Sequence, residues 1–386
     1  MLRVLGIDPG TKSFDLVVVE GERVVWEYSI DTSVVARNPE ALVEAIREAG
    51  SVDLIAGPSG YGVPVTFNDE IVDPRRFAVD VLLLSRWEVL RELVERGDMG
   101  ALVYYSLARA VEWLWKNRLP TVYIPGVIHL PTVPRYRKVN RIDMGTADKM
   151  AVAVLATYMY RELFGGDYSG ATFILVEAGY GYNAVIGVKN GVIVDGLGGT
   201  LASMGLLTIG PIDAEIAALG GRWGRSDVFH GGVFEACKTL DPDKAYNMYR
   251  EGVEPCASAY RAMIEGLART VAGMAATSLR GVKHVLVSGR IAETVKRELE
   301  QLLPDLEFHL LPVLEGAKES KHAAQGYAIV GSGLGKGPFR KLVERMKIRD
   351  ACGTVLDYVL HPRLKEAKQR LVQAYVESVK NPKLCR

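Results

Sequence analysis

Arg3-Val4-Leu5-Gly6-Ile7-Asp8-Pro9-Gly10-Thr11-Lys12-Ser13-Phe14-Asp15-Leu16-Val17-Val18-Val19 runs from one apolar stretch through a tight polar turn into another. A second turn at Gly21-Glu22 leads into Arg23 to Ile30, so the first thirty residues read as three strands of an antiparallel meander. The layout returns at Thr172 to Val176, the turn Glu177-Ala178-Gly179-Tyr180-Gly181, Tyr182 to Val188, the hairpin Asn190-Gly191 and Val192 to Val194. From Asp8 to Glu177 the shift is 169 positions, and at that shift Ile7 falls on Val176, Gly10 on Gly179 and Val19 on Val188 with no gap. A repeat at nearly half of 386 residues points to an internal duplication.

Helical signals fill the intervals. Asn38-Pro39-Glu40 opens a helix that Gly50 closes, Asp73-Pro74 opens a long amphipathic helix to about Glu95, and Met99 to Lys116 forms another. Further helices are expected over Thr146 to Phe164, Ala257 to Arg280, Ala292 to Leu303 and Lys321 to Gly331, with a strand at Lys283 to Ser288. The expected organisation is an N-terminal lobe over 1–165 with a helical insertion at about 74–117, a second lobe over 166–335, and a charged helical extension over 336–386.

Composition sets the outer limits. Hydrophobic residues make up 48% and charged residues 24%, which fits a chain able to bury one or two cores and excludes a low-complexity protein. Lys+Arg 47 against Asp+Glu 46 leaves a net charge of +1, so nucleic acid is not an expected partner. A spanning helix needs roughly 18 consecutive apolar residues, and the richest stretch, Ala151 to Tyr160, is too short. Neither a membrane protein nor a secreted precursor is expected. Cys237, Cys256, Cys352 and Cys385 include no C-x-x-C pair, which excludes zinc and iron–sulfur frameworks and leads to the expectation of a reduced, cytoplasmic protein. His230, His284, His309, His322 and His361 are scattered in sequence, and none pairs at metal-ligand spacing.

The chemistry concentrates in the turns. In Gly6-Ile7-Asp8-Pro9-Gly10-Thr11 an acid ends an apolar strand just before a turn of small residues, where backbone N–H groups can face a phosphate while the carboxylate organises hydrated Mg2+. The second turn offers Glu177 with Gly179 and Gly181 in the same order.

These turns, the segment Val285-Leu286-Val287-Ser288-Gly289 and the helix around Ala323-Ala324-Gln325-Gly326 follow the order of the phosphate-1, phosphate-2, adenosine and connecting segments of the actin-like ATPase superfamily, which the chain resembles over about residues 1–335. Arg137-Lys138-Val139-Asn140-Arg141-Ile142-Asp143-Met144-Gly145-Thr146-Ala147-Asp148-Lys149 and Asp195-Gly196-Leu197-Gly198-Gly199-Thr200 resemble, more closely, the uncharacterised family described as predicted butyrate kinases, domain of unknown function 1464. The resemblance implies an α/β fold of two duplicated ribonuclease-H-like lobes, each a mixed five-stranded sheet with helices, separated by a cleft and followed by a C-terminal helical cap.

It also implies an ATP-dependent small-molecule kinase, in its narrowest form an acyl kinase, transferring the γ-phosphoryl group in the cleft. Asp8 and Glu177 are then the Mg2+ carboxylates; Gly10, Thr11, Lys12, Glu177, Gly179, Gly181, Ser288, Gly289 and Arg290 face ATP. Asp143 is the base for a hydroxyl acceptor, with Asp148 read as helix-dipole compensation, and His129, Arg137 and Arg141, among the cations Arg135 to Arg141, hold an anionic acceptor together with the Gly57 to Gly62 loop. Tyr180, Tyr182 and Arg290 depart from the glycine-rich pattern and are expected to crowd phosphate or adenine. The alternative is a nucleotide switch of the same superfamily that transfers nothing. A resolvase-like nuclease, which Gly6 to Thr11 also resembles, needs more carboxylates and a basic face. The acceptor's identity and self-association stay open at this level.

Overall fold

The computed structural model describes residues 1–318 and 321–385. The chain clusters into two units, Met1–Ser169 with Gly191–Ile193 and Pro312–Arg386, and Gly170–Asn190 with Val194–Leu311.

In the first unit, β1 (Arg3–Pro9), β2 (Ser13–Glu20) and β3 (Arg23–Asp31) form the expected antiparallel meander. With β4 (Leu54–Ala56), β5 (Thr66–Phe67) and β6 (Thr121–Tyr123) they make a sheet of order β3-β2-β1-β4-β6-β5, in which β4 runs parallel to β1 and β6. It has six strands rather than five because the two-residue β5 pairs antiparallel with β6 at the edge. The five inner residues of β1 are all buried, so the strand is a continuous apolar run covered on both faces.

One cover is the helix His322–Leu334, whose residues after His322 are all buried. Gly326, Gly331 and Gly333 lower its intrinsic propensity, so packing rather than sequence preference holds it. Gly6 and Gly326 allow the approach: a Cβ on Gly6 would strike the backbone of Ala324 and Ala328, and one on Gly326 would strike Ala151 in the helix Ala147–Phe164. For this reason residues 312–334 pack with the first unit.

In the second unit, β7 (Phe173–Ala178), β8 (Asn183–Lys189), β9 (Val192–Leu197), β10 (His284–Ser288) and β11 (Glu307–Leu310) form a sheet of order β11-β10-β7-β8-β9. Its core joins Val176, Val185, Val285 and Val287 to Met263, Ile264 and Leu267 of the helix Cys256–Ala276. The duplication holds at the level of register. Gly6 pairs with Val17 and Ile7 with Leu16 in the first sheet, and 169 positions on, Leu175 pairs with Ile186 and Val176 with Val185.

Three local expectations are corrected. The helix expected from Pro74 to Glu95 is broken: Pro74–Arg76, capped by Asp73, runs into a wide turn at Phe77–Leu82, Leu84 takes φ +48°, and a separate helix spans Trp87–Glu95. From Phe77 to Leu83 every residue but Asp80 is buried, so the segment lacks the alternating polar face of a regular surface helix. The C-terminal extension has helices at Arg340–Arg345 and Lys365–Ser378 with a largely irregular stretch between them. The cysteines, read as reduced, form two disulfides, Cys237–Cys256 and Cys352–Cys385, each between residues that only the fold brings together. Thiol titration of unreduced, denatured protein is expected to find no reactive thiol, and four after reduction; four before reduction would contradict the pairing. Among the described residues no helix is long and apolar enough to cross a membrane.

Candidate functional site

β1 ends on Asp8, which pairs directly across the hairpin with Asp15 on β2, and the two residues are 3% and 1% exposed. Like charges placed opposite each other in a buried sheet are destabilising, so a cation is required. Lys321, just before the helix His322–Leu334, supplies one: its Nζ lies 3.2 Å from Asp15 Oδ2 and 3.9 Å from Asp8 Oδ2, and donates to the Ser13 carbonyl at 3.1 Å. Gly10 leaves room for that ammonium, because a Cβ there would occupy its position. Ser29 Oγ donates to the other oxygen of Asp15, whereas Asp8 Oδ1 is buried with no hydrogen-bond partner among the described residues.

The helix Ala147–Phe164 adds a third carboxylate. Asp148 accepts from Thr146 Oγ1 and from Lys149 Nζ, the latter at 2.6 Å. Burial alone pushes Asp148 up; Lys149 and the hydrogen bonds reverse this and hold the carboxyl below its usual range. Asp8 moves the other way, pushed up to about 7 by burial; Lys321 opposes the shift, while the charges of Asp148 and Asp15 add to it. The Tyr327 hydroxyl is buried and raised well above the usual tyrosine range, first by burial and then by the charges of Asp148 and Asp8. Two lysines and three aspartates from β1, β2 and two helix starts thus share one electrostatic neighbourhood. Asp143 is raised to about 6 by burial, against the Gly145 N–H that donates to it at 2.8 Å.

The other first-unit candidates lie in different settings. Thr11 and Lys12 are exposed, and Lys12 pairs with Asp31 at 3.0 Å. His129 is 2% exposed, takes the Gly126 N–H on Nδ1 at 3.2 Å, and is pushed by burial down to about 3, so it is a neutral interior ring that brings no positive charge. Lys138 is buried, donating to the Leu130 carbonyl at 2.8 Å, and the guanidinium of Arg137 lies over Tyr136. Arg141 is half-buried. In the Gly57 to Gly62 loop, Ser59 is buried between the Gly57 carbonyl and the Ile124 N–H, and the Gly60 carbonyl accepts from Ala147 at 3.3 Å, which ties the loop to the helix that carries Asp148.

In the second unit, Glu177 at the end of β7 pairs in register with Ser288 at the end of β10, so the turn Glu177 to Gly181 and the turn at Ser288-Gly289 meet at one sheet end. Gly289 takes φ +100° against the Ala178 backbone, a conformation and an approach that require glycine. Arg290 is exposed. Tyr180 packs at a tilt on Phe234, ring centroids 5.1 Å apart, and donates to the Leu240 carbonyl, and Tyr182 packs edge-on against Phe229.

Sequence reading singled out Asp8, Gly10, Glu177 and Ser288-Gly289, which the fold sets at the sheet-end turns, but not Asp15, Lys149 or Lys321, which surround Asp8, and it gave Asp148 a lesser role. An acid set in Phe14-Asp15-Leu16-Val17 was a usable signal, since an apolar strand does not bury a carboxylate without a partner. Lys321 had none, because 313 positions separate it from Asp8.

Two duplicated units, each built on an antiparallel hairpin with an acid at the first turn, make up the duplicated fold seen in the actin-like ATPases. The chain belongs to the family described as Protein of unknown function (DUF1464), which it matches over residues 6–361. Its fold is similar to that of a propionate kinase from Francisella tularensis subsp. tularensis SCHU S4 (TM-score 0.55, 12% identity, 84% of this chain and 99% of that one). It is also similar to acetate kinases from Entamoeba histolytica (TM-score 0.52, 15% identity, 78% and 86%) and Porphyromonas gingivalis (TM-score 0.52, 14% identity, 85% and 98%). No curated protein matches the chain in sequence.

Proposed function

We propose that this protein is an ATP-dependent, Mg2+-requiring kinase that transfers the γ-phosphoryl group to a small acceptor, a short-chain carboxylate in the first instance. The observation that carries the reading is the buried Asp8, with one oxygen lacking a hydrogen-bond partner among the described residues, beside Asp15, Asp148, Lys321 and Lys149 at a turn of small residues. An orphaned buried acceptor calls for a donor or a cation, and an Asp8 carboxyl near pKa 7 gives up its proton readily when a divalent ion arrives. Asp8 and Asp148 are the first-unit residues that would hold Mg2+, which when bound neutralises charge on the transferring phosphates.

We assign Gly10 and Thr11 to phosphate contact through their backbone N–H groups, and Lys321, beside Asp8 and Asp15, offsets the repulsion between them. Within the second unit we assign nucleotide contact to Glu177, Gly179, Gly181, Ser288 and Gly289. A carboxylate acceptor is already ionised and needs no base; for a hydroxyl acceptor, Asp143 near 6 suits the task better than Asp148, whose proton affinity is depressed. Arg137 and Arg141 are proposed to offset the charge of an anionic acceptor.

The test is hydroxylamine trapping of acyl phosphate during incubation with ATP, Mg2+ and each of several short-chain acids. Hydroxamate is expected with at least one acid, and Arg141→Ala should cut its formation about tenfold or more while ATP affinity stays within about twofold. Formation of ADP that depends on no acid would refute the acyl reading, and sugar-dependent ADP would move it to a hydroxyl acceptor.

A further inference from the structure

The outer edge of the second unit's sheet carries a side-chain cluster that the kinase reading does not use. β11 is the edge strand and pairs in parallel with β10, placing His284 opposite Glu307 and Leu286 opposite His309. Side chains alternate along a strand, so Glu307 and His309 share a face, and His284, across from Glu307, joins them. His284 Nδ1 lies 3.2 Å from a Glu307 carboxylate oxygen, the two imidazole rings are 5.5 Å apart, and one ligand atom from each of the three residues lies within 4.8 Å of the others. The histidines are 25 positions apart in sequence, outside metal-ligand sequence spacing, and only the strand pairing makes them neighbours. His284 begins β10 and Ser288 ends it, about 13 Å away along the strand, so the cluster is separate from the Glu177–Ser288 turns.

We propose that His284, Glu307 and His309 bind one divalent transition-metal ion of the Zn2+ class, which clasps the edge strand β11 to β10. Two imidazoles and a carboxylate are a donor set this class prefers and Mg2+ does not. Zinc–ligand bonds of about 2.0–2.2 Å place ligand atoms about 3.3 Å apart, so the set needs to contract by at most about 1.5 Å. Glu307, with its side chain 60% exposed, has room to turn inward.

Charge around the cluster is compatible with a cation. His309 is held below the usual histidine range, first by burial and then by the His284 ring. Glu307 opposes that shift, as does Glu300 of the helix Ala292–Leu302, while Lys296 of the same helix adds to it. Lys296 is engaged by Glu300 at 2.6 Å, so its charge is offset. A clasp here also restrains an edge strand, whose free backbone groups otherwise invite pairing with another chain.

Titration of the full-length, disulfide-intact protein with ZnCl2, followed by calorimetry and thermal melting, tests this. One Zn2+ per chain is expected, with a Tm rise that saturates at one equivalent and is not reproduced by the same concentration of MgCl2. His309→Ala and His284→Gln should each weaken Zn2+ binding at least tenfold and remove the visible absorption that bound Co2+ develops on the wild type. His230→Ala, which changes a histidine paired with Glu235 outside this cluster, should bind as the wild type does. Glu307→Gln, at an exposed position that no core packing depends on, should weaken binding even if a histidine variant fails to fold. Binding unchanged in Glu307→Gln and in either folded histidine variant, or equal binding of Mg2+, would overturn the site and leave a surface His–Glu ion pair.

Discussion

Asp8→Asn is expected to make the protein more stable than the wild type at pH 8, by about 2–4 kcal/mol, and to leave it unchanged near pH 3. The reasoning follows the proton. Burial raises the folded-state Asp8 carboxyl from 3.8 to about 7, so between those values the folded protein holds a proton that the unfolded chain has lost. Stability therefore falls as pH rises through that window, and above about 7 the folded state carries the full cost of an ionised carboxylate whose burial Lys321 only partly offsets. Asparagine has no charge to bury, so the variant lacks this slope. Urea midpoints of the two proteins at pH 3.5, 5.5 and 8 are the measurement; a gap that fails to widen with pH, or a less stable variant at pH 8, would contradict the account. Stabilisation on removing a charged group is the mark of a residue kept for function at the expense of the fold.

Gly6→Ala is expected to destabilise the first unit by about 3 kcal/mol or more, the upper part of the usual range for overpacking. The added methyl would meet the Ala324 carbonyl oxygen and lie 2.6 Å from the Ala328 nitrogen. Both are backbone atoms of a helix that is also held through Gly326 against Ala151, so no side chain can rotate away and the whole helix must shift. That helix start carries Lys321, so the same change should loosen the ammonium from Asp8 and Asp15. Gly273→Ala is the control: an exposed position in a helix with open space around it, where alanine should stabilise by about 0.5–1 kcal/mol. Equal, small effects from the two substitutions would show that strand and helix are not in close approach.

Much of the fold was legible because it is local and repeated. The D-P-G-T turn, the Asn190-Gly191 hairpin and the unbroken 169-residue shift each fix strands and register within thirty residues, and the duplication ties the two sheets together. Asp8 and Glu177 were visible for the same reason, as acids at strand ends. What escaped reading depends on contacts distant in sequence: Lys321 reaches Asp15 only through the packing of Gly6 on Ala324, and His284 meets Glu307 only through a parallel pairing that no turn announces. The break at Leu84 escaped because a buried apolar run has no helical period to lose. His129 looked like a cation beside a basic stretch, and burial makes it neutral.

The most direct test of the proposed phosphoryl-transfer centre is the rate at which γ-labelled phosphate leaves ATP, at saturating ATP and Mg2+ with the trapped acid as acceptor, for the wild type and Asp8→Asn. Because the variant is expected to be folded and more stable at pH 8, lost turnover cannot be assigned to unfolding. A fall of about a hundredfold or more with the fold intact is the predicted result. Undiminished label transfer by folded Asp8→Asn would contradict the assignment of the Asp8, Asp148 and Lys321 cluster as the reaction centre.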